Sequence, residues 1–167
     1  MLLIANNLES FLLSSDQHSI LYVDMKAIFN PVGKSLSIEY NDLEEQEDKV
    51  KMKKEVALTI NDFIIKHIKK GSNNAVTEYL DALDRSRSIQ ETYKKEIKLV
   101  SDQMVALFNR CRIICWQYAH KYNACAVIDD AHFVCMNALL EDITTSVVAE
   151  LNDEYLTKQK IEKIPGN

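Results

Sequence analysis

Glycine and proline are scarce in this sequence: its 167 residues contain only 3 Gly and 2 Pro. Tight turns recruit these residue types, because glycine tolerates positive φ and proline fixes φ near the value that many turns require. β-Sandwiches and doubly wound α/β folds need many such turns. The scarcity therefore argues against both classes and favours one mostly helical domain, built from a few long helices.

Positive charge is also in short supply, since 20 Lys and Arg face 25 Asp and Glu for a net charge of −5. A nucleic-acid-binding protein usually presents a basic face, so no nucleic-acid partner is expected. No apolar run approaches the roughly 18 residues of a membrane-spanning helix, so no transmembrane segment is expected.

The apolar N-terminus lacks the features of a secretory signal. No Lys or Arg precedes Lys26, and Glu9 interrupts the apolar stretch, whereas a signal peptide combines a basic start with an unbroken apolar core. Either the chain is not exported by that route, or the sequence lacks its true start.

Enzyme motifs are missing as well. The sequence contains no G-x-x-x-x-G-K-[ST], no G-x-G-x-x-G and no H-E-x-x-H, which mark phosphate, dinucleotide and zinc-protease sites. We therefore expect no catalytic residue and no cofactor. A thiol or metal enzyme is the least favoured alternative, and it would need a cysteine of low pKa or a bound zinc ion.

The four cysteines show neither a C-x-x-C pair nor zinc-finger spacing. Cys111 and Cys115 share one helix face, but His120 lies about 180° from Cys111 at 100° per residue, so no metal site is expected. The cysteines are interpreted as small buried apolar residues. In an oxidising compartment, a Cys125–Cys135 disulfide is the alternative.

Two helices dominate the middle of the chain. The segment from Leu36 to Lys70 is charged and helical, and the turn signal GSNN follows at 71–74. From Val76 onward, steps of three and four residues meet eleven apolar residues in thirteen positions, a 3.5-residue repeat typical of a coiled coil. These positions are Val76, Tyr79, Leu83, Ser86, Gln90, Tyr93, Ile97, Val100, Met104, Leu107, Cys111, Ile114 and Tyr118.

The first helix carries a sparser apolar stripe, so the predicted antiparallel hairpin of the two helices should have a thin, loosely packed core. Ile60 and Ile68 fill some intermediate positions, whereas Glu47, Lys53 and Lys54 do not. The stripe itself has a seven-residue spacing: Leu36, Leu43, Val50, Ala57 and Ile64.

The predicted hairpin tip is basic, with Lys66, Lys69 and Lys70 around His67. Cations near a helix C-terminus interact favourably with the helix dipole, so capping is the simpler interpretation. The alternative is a contact surface for acidic partners or lipid headgroups.

Short β segments flank the helices. SILYVDM at 19–25 has the β-branched and aromatic content of a strand. CAVIDDAHFVCM at 125–136 predicts a β-hairpin with strands CAVID and HFVCM. A closing helix follows, with apolar positions on one face and Asp142 as its N-cap.

The order of strand, helical hairpin, β-hairpin and short helix, together with two local blocks, resembles the Skp (OmpH-like) family of periplasmic chaperones. ILYVDMKAIFN, with Tyr22-Val23-Asp24, is similar to the family's opening strand and helix. The block from 118 to 152 looks like its closing part, through Val127-Ile128-Asp129, Asp142-Ile143-Thr144 and Leu151-Asn152.

The resemblance implies a mostly α fold with a small β part, in which a long antiparallel coiled-coil hairpin, the tentacle, projects from a β oligomerisation body. Three subunits would pool their strands, because an isolated two-stranded hairpin is marginal in water. The implied parts are an N-terminal extension at 1–18, a trimerisation body at 19–35 and 119–155, a tentacle at 36–118 with its tip at 71–74, and a flexible tail at 156–167.

The implied function is that of an ATP-independent holdase, which shields unfolded outer-membrane proteins in a cavity between the tentacles of a periplasmic homotrimer. The residues expected to fill the body are Ile20, Tyr22, Val127, Phe133 and Val134. Those expected to bind the client near the tip are Lys66, Lys69, Lys70, Ile64, Ile68, Val76 and Tyr79.

Three features depart from the family pattern. Members are typically basic and exported, whereas this chain is net acidic, shows no export signal and carries free cysteines. A cytoplasmic location therefore stays open. The alternative is a cytosolic coiled-coil interaction or scaffold protein. In that case the β part would serve only to form a dimer.

Overall fold

A computed structural model of the chain describes residues 20–30, 32–68, 74–129 and 140–162. The chain is mostly helical with a small β part, which confirms the predicted class. Its elements are β1 (Ile20–Tyr22), α1 (Met25–Ile28), α2 (Ile38–His67), α3 (Ala75–Lys121), β2 (Ala126–Ile128), β3 (Leu140–Asp142) and α4 (Thr144–Glu162). They divide into two units: the sheet unit, up to Glu39 and from Phe108 onward, and the helical-pair unit, Tyr40–Leu107.

The strand β1 is the centre of a three-stranded, fully parallel sheet in the order β2-β1-β3. Leu21 pairs with Val127 on one side and with Glu141 on the other. Two further hydrogen bonds extend the ladders, from Val23 N to the Ile128 carbonyl and from Ile143 N to the Tyr22 carbonyl, both at 2.9 Å. Residues from the two ends of the chain are thus bonded to one short strand.

This pairing gives one strand of the hairpin predicted at 125–136 a partner that the sequence did not predict. β2 confirms a strand within CAVID, but its partner is β1, and the two run parallel. The second predicted strand, HFVCM, lies outside the described residues. β3 was not predicted, because 140–142 were assigned to the approach to the closing helix. Asp142 is its last residue, and Oδ1 of Asp142 accepts a hydrogen bond from Thr144 N, the first residue of α4, at 2.9 Å.

Side-chain hydrogen bonds fix the junctions around the sheet. Asp24 is the N-cap of α1, since its Oδ1 accepts from Ala27 N at 2.9 Å, while Asp24 N donates to Thr144 Oγ1 at 2.8 Å. Asn152 of α4 holds the start of α2: its Oδ1 accepts from Ile38 N at 2.9 Å and its Nδ2 donates to the Leu36 carbonyl at 3.1 Å. Asp24 and Thr144, which belong to the two segments that carry the family resemblance, therefore have structural roles.

The end of α3 is a Schellman motif, which turns the chain towards β2. Asn123 has a φ of +50°, the left-handed conformation that asparagine tolerates better than most residues. Its N–H donates to the His120 carbonyl, and Ala124 N donates to the Ala119 carbonyl at 2.8 Å. The otherwise unpaired carbonyls of the last turn are thereby satisfied.

The core of the sheet unit forms on one face of β1. Leu21 and Val23 are buried, whereas Ile20 and Tyr22, which alternate with them, are half-buried. Aromatic packing adds to this core, since the rings of Phe29 and Phe108 meet edge to face at 4.4 Å between centroids. Each fully buried aliphatic side chain contributes roughly 1.5 to 3 kcal/mol. Further fully buried side chains of this core include Ile28, Cys111, Val147 and Leu151.

In the helical-pair unit, α2 and α3 run antiparallel, because their contacts follow opposite orders along the two helices. Lys53 Nζ donates to Glu96 Oε1 at 2.8 Å. One residue further along α2, the Lys54 ammonium lies 4.2 Å from the centre of the Tyr93 ring. Nearer the C-terminus of α2, the amide nitrogen of Asn61 donates to the Ala82 carbonyl and to Ser86 Oγ, at 2.9 and 2.6 Å.

Asn61, which is 3 % exposed, occupies a seam position that the sequence assigned to Ile60, which is 57 % exposed. The opposite helix is shifted in the same region, since Ala82 is buried and Leu83 is exposed. Both errors follow from extrapolating a 3.5-residue repeat along helices with 3.6 residues per turn, which drift by about 20° per heptad. A buried asparagine in such a seam fixes the register of two helices at some expense of stability.

Two leucines of α4 test the core of the sheet unit. Leu151 is 1 % exposed and Leu156 is 41 % exposed. We expect Leu151→Ala to lower the free energy of unfolding by about 2 to 5 kcal/mol, because it removes buried methyl groups and leaves a cavity. The matched control Leu156→Ala should change it by less than about 0.5 kcal/mol. Urea unfolding followed by circular dichroism measures both, and equal effects would contradict the assigned core.

Candidate functional site

The helical-pair unit exposes an apolar face on α2. Met52, Val56, Ile60 and Phe63 are all exposed. Their spacing of four, four and three residues places them on one side of the helix, away from the seam residue Asn61. We call these four residues the α2 outer face. Such a contiguous apolar stripe on a helix is the usual signature of a surface that contacts another molecule.

A second apolar surface lies at the beginning of α3. Val76, Leu80 and Leu83 are exposed, and their spacing of four and three residues again puts them on one side of the helix. We call these residues the α3 outer face. The sequence assigned Val76 and Leu83 to the interior of the pair, so their exposure is a correction. Tyr79, assigned there too, is also exposed.

The predicted client-binding residues are accessible where they are described. Lys66, Ile64, Val76 and Tyr79 are exposed, and Ile68 is half-buried, as a binding role would require; that role stays a prediction. The other two tip residues, Lys69 and Lys70, lie outside the described residues.

The last turn of α2 supports the capping interpretation for one of its basic residues. His67 Nδ1 lies 2.8 Å from the Phe63 carbonyl, and the two rings stack with their centres 4.0 Å apart. This imidazole therefore interacts with the end of its own helix. Lys66 belongs to the same turn and is exposed, so it remains available to a partner.

Three of the predicted body residues lie in the sheet. Val127 shares a face with Leu21, while Ile20 and Tyr22 point to the opposite face, and all three are half-buried. Their role in oligomerisation stays a prediction. The remaining two, Phe133 and Val134, lie outside the described residues. Parallel sheets are found almost only with both faces covered, so the half-buried face of Ile20 and Tyr22 is a candidate for further packing.

An open cavity of about 1010 Å³ lies in the sheet unit, between the last turns of α3 and the strand β2. Trp116 borders it and is 67 % exposed. Its ring meets His120 edge to face at 5.7 Å. The residues that line the cavity include Met25, Arg112, Cys115, Trp116, Cys125 and Val127.

Sulfur atoms gather at one wall of this cavity. The Cys111 thiol donates a hydrogen bond to Met25 Sδ at 3.7 Å, and it also lies within hydrogen-bonding reach of the Cys115 thiol. The contact with Cys115, together with burial, raises the pKa of Cys111, whereas the same contact lowers the pKa of Cys115. The helical repeat predicted that the cysteines are neighbours, but nothing local in the sequence indicates Met25.

Among the described residues, no group of three or more His, Cys, Asp or Glu side chains is arranged to hold a metal ion. Within the same residues, no helix is long and apolar enough to cross a membrane.

Comparison with known proteins gives no relative from which a function could be transferred. No family model matches the chain, and neither a curated protein nor a solved structure matches it. The function proposed below is therefore inferred from the surfaces described above and from the resemblance in the sequence.

The burial of the thiols predicts the order in which they react. Cys125 is exposed, whereas Cys111 is fully buried and Cys115 is 8 % exposed. We expect iodoacetamide to modify Cys125 of the native protein well before Cys111 or Cys115, because alkylation requires access to the thiolate. Peptide mass mapping over time measures this order, with a urea-unfolded sample as the control. Equal native rates for Cys111 and Cys125 would show that the packing around α3 is wrong.

Proposed function

We propose that this protein is a homotrimeric, ATP-independent holdase chaperone that surrounds unfolded outer-membrane proteins and prevents their aggregation. The observation that supports this function best is the pair of apolar outer faces on α2 and α3. A pair of helices that buries few side chains and exposes two apolar stripes is suited to many weak contacts. An unfolded client, which has no fixed shape, requires contacts of that kind.

The charges of α2 complement its apolar outer face. Exposed intrahelical ion pairs, such as Lys49 with Glu45 at 2.6 Å and Lys51 with Glu47 at 2.6 Å, contribute little to stability, because exposed pairs are typically worth 0 to about 1 kcal/mol. They do keep the helix hydrated around the N-terminal end of its apolar stripe. The same helix can therefore remain soluble while it exposes large aliphatic and aromatic side chains.

The homotrimer is proposed from the sheet and from the resemblance. The strands have only three residues each, and the face that carries Ile20 and Tyr22 is only half-buried. Packing of this face against sister copies would give the small sheet the second covered side that parallel sheets have. The periplasmic location is likewise proposed from the resemblance.

The alternative function is a cytosolic interaction or scaffold protein. The regular spacing of the outer faces supports this alternative, because a partner helix would contact such a stripe at every third or fourth residue. The buried thiols of Cys111 and Cys115 also suit a reducing compartment. The two functions differ in what they bind, since a scaffold recognises a folded helix and a holdase recognises an unfolded chain.

The α2 outer face provides the main test. We expect the triple variant Met52→Ser, Val56→Ser and Ile60→Ser to lose most of its ability to suppress aggregation of a denatured outer-membrane protein diluted into buffer. These three side chains are exposed, so the substitutions remove apolar contact area without opening the core. Light scattering measures the suppression, and the mass of the assembly in solution shows whether the trimer is retained.

The matched control is the triple variant Lys51→Ser, Glu55→Ser and Thr59→Ser. These residues are also exposed and have the same spacing on the same helix, and the net charge is unchanged because one lysine and one glutamate are both lost. It should suppress aggregation as the unmodified protein does. If the unmodified protein suppresses no aggregation, or if both triple variants behave alike, the holdase function is wrong.

The lysines of the predicted hairpin tip give a second, independent test. We expect Lys66→Glu, Lys69→Glu and Lys70→Glu together to weaken capture of acidic clients, because the reversed charges repel them. The effect should diminish at high salt, and the assembly mass should not change. If client capture is unchanged at low salt, these lysines do not take part in the mechanism. If the variant loses only its binding to anionic lipid vesicles, the lysines contact lipid headgroups instead.

A further inference from the structure

Three sulfur atoms from distant parts of the sequence meet in the sheet unit. Met25 belongs to α1, and its Sδ lies 3.7 Å from the Sγ of Cys111, 86 residues later in the chain. The Cys111 thiol contacts the Cys115 thiol one helical turn further along α3. Met25 and Cys115 both line the cavity beside β2. Two thiols and one thioether are thus gathered in a single cluster.

The distance between Cys111 Sγ and Met25 Sδ suits a three-coordinate metal ion. With metal–sulfur bonds of about 2.3 Å, as for thiolates on zinc, three sulfurs around one ion in a trigonal plane lie about 4.0 Å from one another. The observed 3.7 Å between Cys111 and Met25 differs from that value by a few tenths of an ångström. A small shift of the flexible methionine side chain accommodates the difference.

The chemistry of the donors selects the ion. Thiolates and thioethers are soft ligands that favour Cu(I), whereas divalent Mg and Ca prefer oxygen donors. The described part of the chain has no arrangement of His, Cys, Asp or Glu that would complete a tetrahedral zinc site here. We propose that Cys111, Cys115 and Met25 form a binding site for one Cu(I) ion.

Charge balance and access are both compatible with this site. Binding replaces the two thiol protons, which leave to solvent, so the centre of one Cu(I), two thiolates and a neutral thioether carries a net charge of −1. Arg112 lines the same cavity and supplies a nearby positive charge. The ion can enter through the cavity, which Cys115 and Met25 border directly. The site is independent of the proposed holdase function.

The test uses the reduced full-length chain with Cys125→Ala and Cys135→Ala, so that only Cys111 and Cys115 remain as thiols. Cu(I) is titrated anaerobically in competition with the chromogenic chelator bicinchoninate. We expect this background protein to withdraw one Cu(I) per chain from the chelator. Further replacement by Cys111→Ala or Cys115→Ala should abolish the withdrawal, and an excess of Zn(II) should not displace the bound Cu(I).

Met25→Leu is the variant that separates a metal site from a buried thiol pair, because it preserves the side-chain volume and the fold. Loss of groups that merely orient metal ligands weakens binding by about 10- to 100-fold, so loss of the thioether itself should weaken Cu(I) binding at least about tenfold. Circular dichroism verifies that each variant is folded. Unchanged affinity in Met25→Leu, withdrawal that persists without Cys111, or displacement by Zn(II) would overturn the proposal.

Discussion

Everything in the sheet unit depends on the pairing of β1 with two strands from the far end of the chain. Leu21, at the centre of β1, is bonded through its backbone to both neighbours, and its side chain is fully buried. The Asp24–Thr144 and Asn152–Ile38 hydrogen bonds then fix the starts of three helices relative to this sheet. Without β1, neither of the outer strands would have a partner among the described residues.

The two units differ in how much apolar surface they bury. For this reason the client contacts are proposed on the helical-pair unit, whereas the sheet unit is described as a packed core. The sheet unit buries Leu21, Ile28, Val147 and Leu151 around a central strand. The helical-pair unit buries only a thin seam, part of which is the polar contact of Asn61 with Ser86. Large apolar side chains that find no room in that seam lie on the outer faces. Since burial of apolar area is favourable, a partner that covers those faces lowers the free energy of the system.

The sequence was sufficient for features that depend on local pattern. Scarce glycine and proline, and long stretches of helical periodicity, predicted the mostly helical fold and the positions of α2 and α3. The apolar run at 19–25 and the segment CAVID predicted strands at both ends of the chain. Likewise, the four-residue spacing of Cys111 and Cys115 was enough to place their thiols together, because neighbours on one helix face need no tertiary information.

Features set by long-range contacts could not be predicted in this way. A strand of three residues has no pattern that tells parallel from antiparallel pairing, so the two apolar runs at 125–136 suggested a hairpin, whereas β2 pairs with β1. The sequence pattern placed the seam at Ile60 rather than at Asn61. Burial of Asn61 depends on its hydrogen bonds to the opposite helix, which a local pattern does not contain. Met25 joins the sulfur cluster only through the packing of α1 on α3. The outer faces escaped notice because exposed and buried apolar stripes have the same period.

The position of β1 also determines the order in which the protein can form. Both of its neighbours are synthesised more than 100 residues after it, while the hydrogen bonds of Asn61 with Ala82 and of Lys53 with Glu96 in the helical-pair unit join residues only 21 and 43 positions apart. Local contacts form faster than distant ones, so we expect the helical pair to form before β1 meets either neighbouring strand. Leu21 and Val23, which are buried in the folded chain, lack the cover of the outer strands until the last part of the chain has been made.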